Sequence, residues 1–250
     1  MTDGAVPDFF RRLWRLPEVP QQRGRKSTLD VETVVSTAVQ LADHGGLEAA
    51  TLPKVAEELN VTAMSLYRHI GSKHELLQLM MDAASEPRIP ESLAAGWREG
   101  LRLWARDLWS LYRRRPWLPR VPIYQAPSGP HQIAWLERGF AQLASTELDW
   151  NEKLTALTLL SGFVRQSALL QDELKEGREP GQAQSESERE YGEALFRVVA
   201  SAQFPFTSAM LASGAVGSDS NSGGESDPDF VDGLEVILDG LAVRIANAVD

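Results

Sequence analysis

Apolar residues recur along this chain at intervals of three and four rather than at alternate positions, a period that builds helices. In STLDVETVVSTAVQLADHGG, Val31, Val34, Val35, Ala38, Val39 and Ala42 share one face, which predicts a helix over about 30 to 44. Thr28 or Asp30 can cap its start, and Gly45-Gly46 can end it through a positive φ. TLPKVAEELN then offers Thr51 as N-cap, a proline in the first turn where its missing N–H costs little, and Val55, Ala56 and Leu59 as a buried stripe ending near Asn60. Thr62 can cap a third helix of two turns, AMSLYRHI, which Gly71 stops. Ser72 and Glu75 supply the capping box of a fourth helix through Leu76, Leu77, Leu79, Met80 and Ala83.

SEPRIPES, residues 85 to 92, breaks the pattern with two prolines and marks a domain boundary. Helical spacing resumes in five stretches: 93–115, 129–145, 150–174, 186–202 and 229–249. No segment sustains a period of two, so the expected fold is all-α. The predicted organisation is a flexible basic arm over 1–26, a small helical domain over 27–84 and a larger one over 93–250. Flexible loops are expected near 175–187 and 212–229, both poor in large apolar residues.

The 250 residues carry a net charge of −10, which argues against a nucleic-acid partner until the charge is mapped. Residues 1–170 hold 20 Lys and Arg against 19 Asp and Glu, whereas residues 201–250 hold 1 against 8. The acidity lies in the C-terminal part, and the arm carries Arg11, Arg12, Arg15, Arg23, Arg25 and Lys26 against three acids. Absence of cysteine removes disulfides, thiolate nucleophiles and Cys-based metal sites. No stretch has the apolar length of a leader or a membrane span, so the expectation is a soluble cytoplasmic protein.

The second and third helices, separated by about three residues, have helix-turn-helix spacing. In that unit the second helix enters the DNA major groove. Its exposed positions would be Thr62, Ala63, Met64, Ser65, Arg68 and His69, with Leu66 and Ile70 facing inward. Arg68 suits guanine, Thr62 or Ser65 a base or phosphate, and Ala63 or Met64 a thymine methyl. Tyr67, Lys73, Lys54 and the Thr51 hydroxyl suit phosphates. Residues 23–76 hold six cations and seven anions, so binding would depend on cations gathered on one face. Any two short antiparallel helices can generate this spacing. Tyr67 as a shelf, Arg68 as a solvated charge and His69 as a packing residue are the competing readings.

ATLPKVAEELNVTAMSLYRHIGSKHELLQLMMDAA resembles the DNA-binding domain of the tetracycline-repressor (TetR) family of bacterial regulators. Thr51, Ala56, Leu59, Val61, Leu66, Tyr67, His69, Lys73, Leu76 and Leu77 carry the resemblance, which extends over about 27 to 83. It implies that Thr51, Lys54, Tyr67, His69 and Lys73 touch phosphates and that Thr62 to Ser65 and Arg68 face bases. Pro53 stands where the tetracycline repressor itself has a base-reading arginine, which implies a different operator. FVDGLEVILDGL resembles the end of that subfamily's C-terminal domain. Phe230, Leu234, Ile237, Leu238, Leu241 and Ile245 form one stripe there, and Gly233 and Gly240 permit close helix approach. Burial within one chain would explain the stripe equally. The resemblance favours a homodimer through the helices near 151–173 and 230–248, with two reading helices on a palindromic duplex operator.

Trp97, Trp104, Trp109, Tyr112, Trp117, Tyr124, Trp135, Phe140 and Phe163 crowd the middle helices beside His131, Arg165 and Gln166. Such a mixture suits either a core or a small-molecule cavity. The resemblance implies an effector site among these helices, with Trp104, Leu108, Trp117, Trp135, Ser161 and Gln166 as the selected contacts. DHGGL imitates an esterase oxyanion loop, but no G-x-S-x-G elbow accompanies it. Histidines 44, 69, 74 and 131 lack metal-site spacing, so neither a metal, a cofactor nor catalysis is expected. The reading is a repressor released from its operator by a small molecule. The alternative is a helical small-molecule-binding protein or enzyme without specific DNA binding.

Overall fold

The computed structural model describes residues 6–16, 29–88, 94–178, 184–199, 201–214 and 228–248. Its elements are α1 (Asp8–Leu13), α2 (Val31–Gly45), α3 (Leu52–Glu58), α4 (Ala63–Ile70), α5 (Lys73–Ala84), α6 (Trp97–Arg114), α7 (Pro130–Gln142), α8 (Trp150–Glu176), α9 (Gln184–Val198), α10 (Pro205–Ala212) and α11 (Pro228–Asn247). Among the described residues there is no strand, and no helix is long and apolar enough to cross a membrane.

In the N-terminal body, α2 buries Val34, Val35, Ala38, Val39 and Ala42 against α3, α4 and α5. Asp30 rather than Thr28 caps it, accepting the Thr33 N–H at 2.8 Å. That bond and the Thr33 hydroxyl hold the Asp30 carboxyl below its ordinary value. Gly46, at φ 73°, ends the helix. The Ser72 hydroxyl accepts the Glu75 N–H at 3.1 Å, but only half of the expected capping box forms, because Arg12 of α1 takes the Glu75 carboxylate.

The expectation of a flexible arm is therefore corrected over residues 6–16, while 1–5 and 17–26 lie outside the described residues. Leu13 is buried in the common core. Arg12 pairs with Glu75, Arg15 Nε donates to Glu32 at 2.8 Å, and Trp14 Nε1 donates to the Ser128 carbonyl at 2.8 Å. Buried Leu13, half-buried Phe9 and these polar ties dock a helix too short to persist alone. A second unforeseen element is α10, which packs with α9. The expected loops narrow: α8 continues to Glu176, α9 begins at Gln184, and α11 begins at Pro228. Residues 179–183 and 215–227 lie outside the described residues.

The larger body packs α6 against α7, α8 and α11. Trp109 stacks on Phe230 at 4.3 Å between ring centres, bringing α11 onto α6. Arg98 and Arg102 of α6 reach Glu235 of α11, with Arg98 also holding Asp239. Buried side chains form one continuous core through both bodies.

Candidate DNA-reading surface and effector cavity

The turn between α3 and α4 is built by Asn60, whose φ of 54° places it in the left-handed region that asparagine tolerates better than most residues. The Val61 N–H then returns to the Ala56 carbonyl at 2.9 Å, aiming the chain into α4. Leu66 and Ile70 are wholly buried, as the spacing predicts. Thr62 caps α4 through Ser65 N at 3.3 Å, and the two hydroxyls lie 2.9 Å apart. Their pairing fixes the start of α4.

Thr62, Met64 (70% exposed), Tyr67 (45%) and Arg68 form an outward surface, with Ala63, Ser65 and His69 half-buried. Lys54 is exposed on α3 and Thr51 half-buried at its N-cap, although its side chain makes no cap bond. Lys73 is exposed at the first position of α5, where free backbone N–H groups attract anions. Glu75, in the same first turn, would oppose a phosphate. Arg12 neutralises it, a contribution across 63 residues that no local motif announces.

A half-open cavity of about 640 Å³ lies among α5, α6, α7, α8 and the chain at 118–127. Trp104, Leu108, Trp135, Ser161 and Gln166 line it, five of the six selected residues. Trp117 does not. Its indole is buried, and its N–H donates to Asp43 of α2 at 2.7 Å, so it fastens the two bodies together. Tyr112 and Arg165, noted in the aromatic cluster but not selected, also line the cavity. Burial raises the Tyr112 phenol to about 12.

The cavity shares its wall with the N-terminal body. Trp135 Nε1 donates to the Ser85 carbonyl at 2.7 Å, and Trp104 Nε1 donates to the Trp135 carbonyl at 2.9 Å. Met81, Ser85, Gln132 and Trp135 all face the cavity at this junction. Beside it, Asp82 of α5 accepts the His131 and Gln132 N–H groups at 3.0 and 3.1 Å, capping α7 from the other body. Arg115 completes the seam through Asp43 and the Ala84 carbonyl. His131 thus belongs to the seam, its Nδ1 lying 2.9 Å from the Asp82 carbonyl. Among the described residues no group of three or more His, Asp or Glu could hold a metal ion.

Residues 34–80 match the family model described as "Bacterial regulatory proteins, tetR family", and residues 89–245 match "Tetracyclin repressor-like, C-terminal domain". The HTH-type transcriptional repressor DrrR1 of Streptomyces coeruleorubidus is 36% identical, covering 98% of this chain and 88% of its own. An HTH-type transcriptional repressor of Mycobacterium tuberculosis is 26% identical, covering 88% and 82%. Among solved structures, the Streptomyces coelicolor TetR family protein ActR in complex with actinorhodin superposes with a TM-score of 0.72. Its identity is 29%, over 89% of this chain and 99% of ActR. Apo ActR gives 0.70, with 27% identity over 90% and 100%.

Proposed function

We propose, from the premise that this chain belongs to the tetracycline-repressor family of bacterial transcriptional regulators, that it is a homodimeric repressor released from a palindromic operator by a small molecule. Thr62, Ala63, Met64, Ser65 and Arg68 read bases, while Thr51, Lys54, Tyr67, His69 and Lys73 hold phosphates. The outward faces of Thr62, Met64, Tyr67, Arg68 and Lys73 support this division. The names of the curated relatives, repressors of the same family, support repression.

The observation that carries the release step is the shared wall. A molecule seated against Trp135 and Gln132 presses on the groups that hold α5 through Ser85 and Asp82. A ligand shifts DNA affinity only if it binds the two arrangements unequally, and a wall common to both bodies supplies that difference. That ActR was solved in complex with actinorhodin supports an organic small molecule as the effector.

Pairing of α8 and α11 with their twins would form the dimer. Leu159, Val236 and Val243 are 57%, 71% and 61% exposed on those helices, and Gly240 faces open space. A two-fold axis there places two reading helices on adjacent turns of one duplex face.

Selection of bound sequences from a random duplex pool tests the reading, followed by a search for compounds that release the winner. Arg68→Ala should relax base preference and Lys73→Ala should weaken all duplexes while lowering the salt dependence. A wild-type protein that enriches no sequence refutes the assignment.

A further inference from the structure

Arg165 is the single charged side chain among the residues that line the cavity. Its Nε donates to the Pro119 carbonyl at 2.8 Å and one Nη to the Val121 carbonyl at 3.3 Å. Those dipoles aim the guanidinium without neutralising it. No described carboxylate pairs with Arg165, unlike Arg120 in the chain that follows α6, which holds Asp172 and Glu176. An unneutralised cation in a largely apolar, half-buried place is costly, and an incoming anion relieves that cost.

The other polar groups sharpen the preference. Ser161 and Thr158 line the cavity, but each hydroxyl proton is spent inside α8, on the Thr158 and Leu154 carbonyls at 3.0 and 2.8 Å. Tyr112 makes no hydrogen bond among the described residues, and its phenol stays protonated at neutral pH. It also lies within electrostatic reach of Arg165. The cavity therefore offers a cation and a free O–H donor in one region, framed by Trp104, Trp135, Leu108 and Leu157.

We propose that the effector is an acidic, multi-ring apolar molecule whose single anionic oxygen group sits against Arg165 and Tyr112, its rings lying along the wall that Trp104, Trp135, Leu108 and Leu157 form. This deepens the effector-cavity reading and rests on it. The ion pair selects acids over neutral molecules of the same shape, since charge-assisted hydrogen bonds are the strong ones.

The test uses anthracenecarboxylate and its uncharged carboxamide, with affinities read from quenching of the protein's tryptophan emission in the full-length chain. The acid should bind roughly tenfold or more tightly than the amide. Arg165→Met should erase that ratio while leaving the amide's affinity within about twofold, and Arg165→Lys should restore part of the ratio. Tyr112→Phe should reduce the ratio without erasing it. Equal affinities in the wild-type protein, or a ratio surviving in Arg165→Met, overturns the acidic-effector proposal and leaves the cavity reading intact. Failure of both probes to bind refutes the cavity as an effector site and the proposal with it.

Discussion

Asp82 belongs to α5, yet its carboxylate caps α7 through the His131 and Gln132 N–H groups. Burial, its largest influence, raises the carboxyl above its ordinary value against the opposing pull of those hydrogen bonds and of His131. A raised carboxyl binds its proton more tightly in the folded chain. Its contribution to stability is whole below the ordinary carboxylate range and is lost as pH climbs through the raised value. Asp82→Asn keeps an oxygen for both N–H groups and has no charge to desolvate. Its thermal midpoint at pH 7 should equal or exceed the wild type's, with a shallower fall between about pH 4 and 7. Gly129 lies so near that an added Cβ would stand 2.1 Å from the Asp82 Oδ1. Gly129→Ala should therefore break the cap and cost about 1–3 kcal/mol in denaturant unfolding. Trp117 shows where residue type misleads: a buried tryptophan is equally at home against a ligand or a neighbouring domain. Its place is set by Asp43, 74 residues earlier in the chain, whose carboxylate lies 2.7 Å from the indole nitrogen. Trp117→Phe should leave ligand affinity unchanged and destabilise the seam by about 1 kcal/mol in thermal unfolding.

Helices that bury one stripe were legible, and those held by distant partners were not. In α2, α4 and α5 the apolar period alone located the element, and the local caps Asp30, Thr62 and Ser72 fixed their starts. Nothing local distinguishes α1, whose anchors Glu75, Glu32 and Ser128 come from three other parts of the chain. The reason differs for α10: it exposes Phe206 and Met210 and buries no residue, so it shows no stripe to find. The tie between α6 and α11 was equally silent, because Glu235 gives no sign in sequence of meeting Arg102 and Arg98. Those guanidiniums, Arg102 first, lower its carboxyl to about 2. A lowered carboxyl contributes above the ordinary carboxylate range, and that contribution fades as pH falls toward the lowered value. Glu235→Gln should thus lower the thermal midpoint at pH 7 and change little near pH 2. The loss should be about 1 kcal/mol or less, since the cluster is largely solvated.

At the scale of the molecule, one core runs through both bodies, and Asp43, Asp82, Ala84 and Ser85 receive the groups that cross the seam. The proposed dimer would add the last constraint, since two half-sites would be read together or weakly. Replacing Val236 and Val243 by glutamate should yield a monomer in sedimentation with operator affinity lowered by at least about a hundredfold, because half the phosphate and base contacts are lost. The folded chain should survive, as both positions face outward.

The indole of Trp14 is bonded to Ser128, next to the segment from Ile123 to Pro127 that forms one side of the cavity. A wall tied back from outside governs how fast the cavity fills and empties more than how tightly it holds. Trp14→Phe should accelerate ligand association and dissociation together in stopped-flow mixing, leaving their ratio within about twofold. The short helix at the start of the chain would then act as a clock, setting how long a repressor stays released after the molecule that released it has gone.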